Sequence, residues 1–374
     1  MSVVAILTAV LLGATPAAAG PPDEWAQPGA HATNDRYNGG ETRLTAENAG
    51  KLKPRWTVPH TEVTCADPST PLVGGGKLLT AGAYSISAYN ARTGAISWRT
   101  AVTKKRYILL ATVAGTKVVA QYRDCRTGKA FLTALDVHTG RTLYTRPIGT
   151  TLLYGLVADK GVLAGGLWED DAARYAMRGY RIADGTLLWS RAGSMQFPPI
   201  AARGRVLADG GAVDIRTGKP LWTLPAGCAD VLGASTDGKR LFQACDGDEG
   251  VRVIDATSGE VADTFPGTYS RYSFATDGQR IYLLGYGGFV ALDARTGKRL
   301  WKVAFETEPP LTFAVAGGVV YGWRGNGHAL AAVEAATGKP IELPASTASV
   351  RDGVMIAQGR LYGITGAAVT AYAP

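Results

Sequence analysis

Apolar positions in this chain fall in short alternating runs bounded by Gly, Asp, Asn and Thr, and no stretch sustains the three-and-four spacing of an amphipathic helix. Runs such as "VAGTKVVAQY", "ATDGQRIYLL" and "AVAGGVVYGW" set a glycine turn between two stretches of β-branched or aromatic residues, which is a hairpin pattern. Each is followed by a second hairpin of more uniform wording. In order these are "AYNARTGAISW" (88–98), "ALDVHTGRTLY" (134–144), "GYRIADGTLLW" (179–189), "AVDIRTGKPLW" (212–222), "VIDATSGEVAD" (253–263), "ALDARTGKRLW" (291–301) and "AVEAATGKPIE" (332–342). The Asp or Asn can bond its own turn, and the glycine supplies the positive φ that the turn requires. Their glycines, from Gly94 to Gly338, recur about every 41 residues, a period that belongs to repeat architectures.

Two hairpins per repeat make four short antiparallel strands, and such units without intervening helices predict the blades of a β-propeller. After "IAQGRLYGI" the chain runs through "AAVTAYAP" and stops, which leaves an eighth blade one strand short. The missing strand is available in "LKPRWTV" (52–58), where Trp56 takes the place that Trp301 has in its own repeat. Closing the ring in this way removes exposed sheet edges. The expected architecture is therefore all-β: an eight-bladed β-propeller of four-stranded antiparallel blades, the last closed by an N-terminal strand. Residues 1–19 read as a signal peptide, 20–50 as a lead-in segment and 51–374 as the propeller, with residues 21–30 removable at little cost.

The A-x-D-x-x-T-G-x-x-x-W pattern resembles the tryptophan-docking repeat of eight-bladed propellers of the pyrroloquinoline quinone type, shared by quinoprotein dehydrogenases and BamB-like assembly and scaffold propellers. The stretch "YNGGETRLTAENAGKLKPRW" is similar to the lead-in of that superfamily. The resemblance implies that Trp56, Trp98, Trp189, Trp222 and Trp301 lie against the backbone of a neighbouring repeat. Tyr144, Asp263 and Glu342 depart from it, so blades 2, 5 and 7 are expected to dock less tightly. It also implies a known activity, oxidation of alcohols or sugars by a bound quinone with calcium. Many such enzymes carry adjacent cysteines and long insertions, and neither occurs here. The repeat specifies a fold and leaves function to the site.

With 46% hydrophobic and 19% charged residues in 374, the composition is that of a folded protein and excludes extended disorder. The net charge of +8 is carried largely by turn residues, Arg92, Arg216, Lys219, Arg295, Lys298 and Lys339 among them, and reads as a solvated rim instead of a nucleic-acid surface. An N-terminal apolar run ending in Ala17-Ala18-Ala19 has the form of a secretory signal, although no Lys or Arg precedes it. No later run approaches the roughly 20 apolar residues needed to span a bilayer. The expected product is a secreted, extracellular monomer without a membrane span. Four cysteines suit that compartment, and their places on the strands predict Cys65–Cys125 and Cys228–Cys245 out of three possible pairings. Neither CxxC spacing nor clustered histidines suggest zinc.

No nucleophile elbow or phosphate loop is present. Glu169, Asp170 and Asp171 lack the alternating spacing of a calcium loop and read as a solvated insertion. What remains is the mouth of the channel where each repeat begins. Arg106, Tyr107, Tyr154, Tyr269, Arg271, Tyr272 and Arg324 fall there, with the Trp168–Asp171 insertion and Arg351 nearby. Against a ligand role stands ordinary packing, since such Tyr side chains fill gaps between blades and such Arg side chains pair with acids such as Asp230. The sequence points to a non-catalytic binding or scaffold propeller that uses this face for a protein or extracellular ligand, with no cofactor. A quinone-dependent oxidoreductase, or a cofactor-free lyase or hydrolase on the same face, is the alternative.

Overall fold

The computed structural model describes residues 23–60, 69–82, 84–101, 106–169, 172, 174–245, 249–285, 288–304, 312–323, 330–365 and 368–374. Its strands form eight sheets arranged as propeller blades, and in blades 1 to 7 the four propeller strands follow one another in sequence order. Blade 6 is representative, with Tyr269–Thr276 innermost, then Arg280–Gly285 and Gly288–Asp293, and Arg299–Ala304 at the rim. Only Trp301 of that outer strand is fully buried, whereas the inner strand of blade 8, Gly353–Ala357, is buried throughout. This gradient explains the wording of the repeat. Inner strands are apolar on both faces, and outer strands need one large anchor.

The ring closes as the sequence requires. Lys53–Pro59 pairs antiparallel with Ala368–Ala373, Trp56 opposite Ala371 and Pro59 opposite Ala368. Each Thr-Gly glycine then receives the anchor of the preceding blade, and a Cβ on Gly140 would fall 2.6 Å from the Trp98 ring, one on Gly218 2.7 Å from Trp189, one on Gly259 2.6 Å from Trp222 and one on Gly338 2.7 Å from Trp301. The indoles donate to the neighbouring turn, at 2.9 Å for Trp98 to the Val137 carbonyl and 2.8 Å for Trp189 to that of Ile215.

Blades 2, 5 and 7 differ from expectation in instructive ways. Tyr144 docks fully: its ring covers Gly185 and its hydroxyl donates to the Ile182 carbonyl at 3.0 Å, so a phenol reproduces both functions of the indole. In blade 5 the anchor is not at Asp263 but two residues on, on the same side of the strand, where Phe265 covers Gly297. Glu342 has no Thr-Gly hairpin to meet, because the outer strands of blade 8 come from opposite ends of the chain; Gly50 stands in that place, its Cβ position 3.1 Å from the Glu342 carbonyl oxygen.

The lead-in is not a peripheral arm. Residues 25–38 run around the inside of the ring and meet the innermost strand of every blade in turn. Trp25 exchanges backbone hydrogen bonds with Val73; the amide of Val113 donates to Ala26, that of Ala201 to Ala32, that of Ala234 to Thr33, that of Thr276 to Asp35 and that of Val315 to Arg36. Gln27 bonds both backbone groups of Ala158 through its side chain, and Asn38 donates to the Ile356 carbonyl. Inner strands are sheet edges facing the channel, and this segment satisfies their free groups. Trp25 and Ala30 are buried, so the described part of residues 21–30 is packed against the propeller, where the sequence suggested a stretch removable at little cost.

Cys228 and Cys245 are opposite one another and bonded, with Cα atoms 4.2 Å apart. Cys125 is also disulfide-bonded; Cys65 lies outside the described residues. Among the described residues no helix is long and apolar enough to cross a membrane.

Candidate functional site

The lead-in touches the inner strands beside their first hairpin turns, and antiparallel alternation places the Thr-Gly turns at the same end. The Ala91 amide donates to Gly76 and that of Ile215 to Gly204, tying the two sets of turns together. Residues 25–38 thus line one end of the channel. Above that floor lies a cavity of about 480 Å³, open towards the other face, the size of an ordinary small-molecule site.

Its floor is Trp25, Gln27, His31, Asn34 and Arg36, and its walls are the beginnings of inner strands, with Leu109, Leu110, Leu153, Tyr154, Phe313 and Val354 supplying apolar surface. His31 is hydrogen-bonded to the buried Asp35 at 2.9 Å; burial opposes its charge, but Asp35 outweighs burial and raises its pKa. His60 is buried in the wall, which lowers its pKa, and its Nδ1 has no hydrogen-bond partner among the described residues. Arg36, with φ of +52°, lines both this cavity and an adjoining one of about 260 Å³.

At the mouth, blades 3 and 4 present aromatic side chains that a soluble surface normally hides. Phe197 is 73% exposed, Tyr175 52% and Trp168 39%. Tyr154 meets Tyr175 edge-on at 6.3 Å, and Tyr175 meets Trp168 at 4.8 Å.

The structure brings some of the anticipated residues to this site and not others. Tyr154 lines the cavity and Trp168 stands in the aromatic group beside it. Tyr107 is half-buried two residues before Leu109 and is not part of the lining. Tyr269 folds back on its own turn, over Gly267 and with its hydroxyl donating to Pro266 at 3.2 Å. Arg351 is exposed beside the cavity-lining Asp352. The side chains of Arg106, Arg271 and Tyr272, and the whole of Arg324, lie outside the described residues. Glu169 is engaged by Arg174 at 3.1 Å and Arg178 at 3.0 Å, so it is an ion-pair member; Asp170 and Asp171 lie outside the described residues. Sequence reasoning missed Arg36, His60, Tyr175 and Phe197. "TNDRYN" (33–38) held a clue, since Asn and Asp favour the left-handed turns found at Asn34 and Arg36.

A quinone with calcium, which the resemblance implies, requires several oxygen donors converging on the ion. Among the described residues the one group of acids, histidines and cysteines close enough to share an ion is Cys228, Cys245 and Glu249, and its two sulfurs are bonded to each other. In the cavity lining Asp352 is the carboxylate, and Asp35, outside that lining, is hydrogen-bonded to His31. These donors do not fit that group.

Comparison with known proteins agrees on the architecture. The chain is similar over 86% of its length, at 14% identity and a TM-score of 0.59, to 85% of a europium-containing methanol dehydrogenase. It is similar over 94%, at 16% identity and a TM-score of 0.62, to 80% of the quinohemoprotein alcohol dehydrogenase from Comamonas testosteroni. The computationally designed Ika8 protein is matched over its whole length at 12% identity and a TM-score of 0.58. At such identities these likenesses establish the fold alone. No curated protein matches the chain in sequence. The family model described as outer membrane protein assembly factor BamB matches residues 40–262 and 247–341. A match over more than half of its length places this eight-bladed propeller in the family of that model, to which the chain belongs.

Proposed function

We propose that this protein is a secreted, non-catalytic binding propeller whose ligand enters the open mouth of the channel. The observation that carries the reading is a cavity of about 480 Å³ bounded by residues 25–38 and by the beginnings of the inner strands. The aromatic group of Tyr154, Trp168, Tyr175 and Phe197 at its rim supports it, because exposed rigid aromatics serve as anchors.

Ligand-observed NMR with a library of small aromatic fragments tests this. Fragments should compete for one site, lose binding in a Tyr175→Ala/Phe197→Ala variant, and keep it when Lys219, Lys298 and Lys339 on the Thr-Gly rim are changed to Glu. Loss in the rim variant alone would place the site on the other face.

A further inference from the structure

Arg36 is unusual among the arginines of this protein. Several other guanidinium groups that are partly buried have partners: Arg178 bonds Glu169 and the Ile148 carbonyl, each at 3.0 Å, Arg280 bonds Asp277 at 2.9 Å and Arg240 bonds the Ala294 carbonyl at 3.0 Å. Among the described residues the Arg36 side chain has neither a hydrogen bond nor an ion pair, and the backbone alone is fixed, by the amide donating to Gly29 at 3.1 Å and the carbonyl accepting from Val315 at 2.8 Å. Burial alone lowers its pKa, to about 10, with no carboxylate offsetting the loss of water. A half-buried cation without a counter-charge loses part of its hydration, and an anion that reached it would recover that cost.

Its surroundings say which anion. Arg36 lies on the floor of the cavity, and the walls above are largely apolar, from Trp25, Leu110, Leu153 and Phe313 to Val354. His60 in the same wall is buried, which lowers its pKa, and its buried Nδ1 has no hydrogen-bond partner among the described residues. Inorganic anions gain nothing from such walls, whereas an organic acid with a flat or aliphatic body fills them. The basic cleft of Lys160, Arg203, Arg205 and Arg216 on the Thr-Gly rim is the competing place for an anion, but Asp214 stands within it and Leu221 is its sole apolar side chain. We infer that the floor of the open cavity receives the carboxylate of a small apolar organic acid, with Arg36 as its charged partner. This assignment rests on the reading of the open mouth as the binding site.

The test uses the full chain with four probes, 2-naphthoate, its neutral counterpart 2-naphthamide, benzoate and inorganic phosphate, by calorimetry and saturation-transfer NMR. Naphthoate should bind at least about tenfold more tightly than the amide. Arg36→Met should bring naphthoate down to the level of the amide and leave the amide unchanged, Arg36→Lys should retain part of the preference, and Arg216→Ala on the rim should have no effect. Because naphthamide binding is itself the measure of a folded cavity, a misfolded variant is recognised by its loss, and Arg36→Lys then carries the comparison. Equal binding of acid and amide, indifferent to Arg36, would overturn the carboxylate assignment and leave the open-mouth site standing. Failure of both naphthalene probes to bind would sink the open-mouth reading itself. Displacement of naphthoate by phosphate as effectively as by benzoate would show that the walls contribute nothing and would overturn the assigned ligand class.

Discussion

Trp56 lies flat against Gly94, so that a Cβ on the glycine would fall 2.6 Å from the indole, and the indole nitrogen donates to the Arg92 carbonyl at 3.3 Å. One side chain thereby locks the strand that completes the last blade onto the first blade. Gly76 has nearly the same φ, +73° against +72°, with nothing within 4 Å of its Cβ position. Gly76→Ala should therefore report the backbone penalty alone, about 1–2 kcal/mol. Gly94→Ala should cost about 2 kcal/mol more, because the ring must move. Chemical denaturation of the two variants measures the difference, and equal losses would mean that the seam does not depend on this contact.

The displaced anchor in blade 5 makes a sharper test of the docking rule. Phe265→Ala should cost about 3–5 kcal/mol as a buried aromatic truncation. Asp263→Ala, at the position where the repeat pattern puts the anchor, should fall within about 0.5 kcal/mol of wild type, since that side chain is exposed. Thermal or urea melts of the pair decide whether the docking residue is set by packing or by its place in the repeat.

Trp25 tests the lead-in as part of the core. It is 2% exposed and exchanges two backbone hydrogen bonds with blade 1, so Trp25→Ala should cost about 3–5 kcal/mol in urea denaturation. A loss below about 1 kcal/mol would return residues 23–38 to the status of a loose arm.

The lead-in also carries a pH-dependent contact. His31 has its folded-state pKa raised, with burial opposed and outweighed by the hydrogen bond and charge of Asp35, and Glu24 adds attraction. A raised pKa means that protonated His31 stabilises the fold fully below about pH 6.5 and that this contribution disappears as pH rises through the folded-state value. His31→Gln should accordingly lower the melting temperature more at about pH 5.5 than at about pH 8.5. The reverse order would show that the neutral ring is what the lead-in needs.

The sequence made the ring legible because its determinants are local and repeated. A turn whose Asp or Asn accepts amides two and three residues on, as Asp293 does from Arg295 and Thr296, recurs at Asn90, Asp136, Asp214 and Asp255 and so leaves the same trace in five of the seven hairpins. The anchors Tyr144 and Phe265 were harder to read, since packing accepts any large ring that reaches the glycine and a strand presents the same face two residues later. The site was legible only at Tyr154 and Trp168. Arg36 acquires its meaning from partners that it lacks and from inner strands of eight separate blades around it, none of which is close to it in sequence. Phe197 and Tyr175 carry no repeat pattern that distinguishes a mouth residue from a buried one.

Hydrogen exchange of the full chain, with and without saturating 2-naphthoate, tests the location of the site most directly. The account predicts added protection at the beginnings of the inner strands that line the cavity, around Leu109–Leu110, Tyr154–Val157 and Gly353–Met355, and none at the Thr-Gly turns around Gly94, Gly218 and Gly297. Protection gathered at those turns, with the cavity walls unchanged, would contradict it.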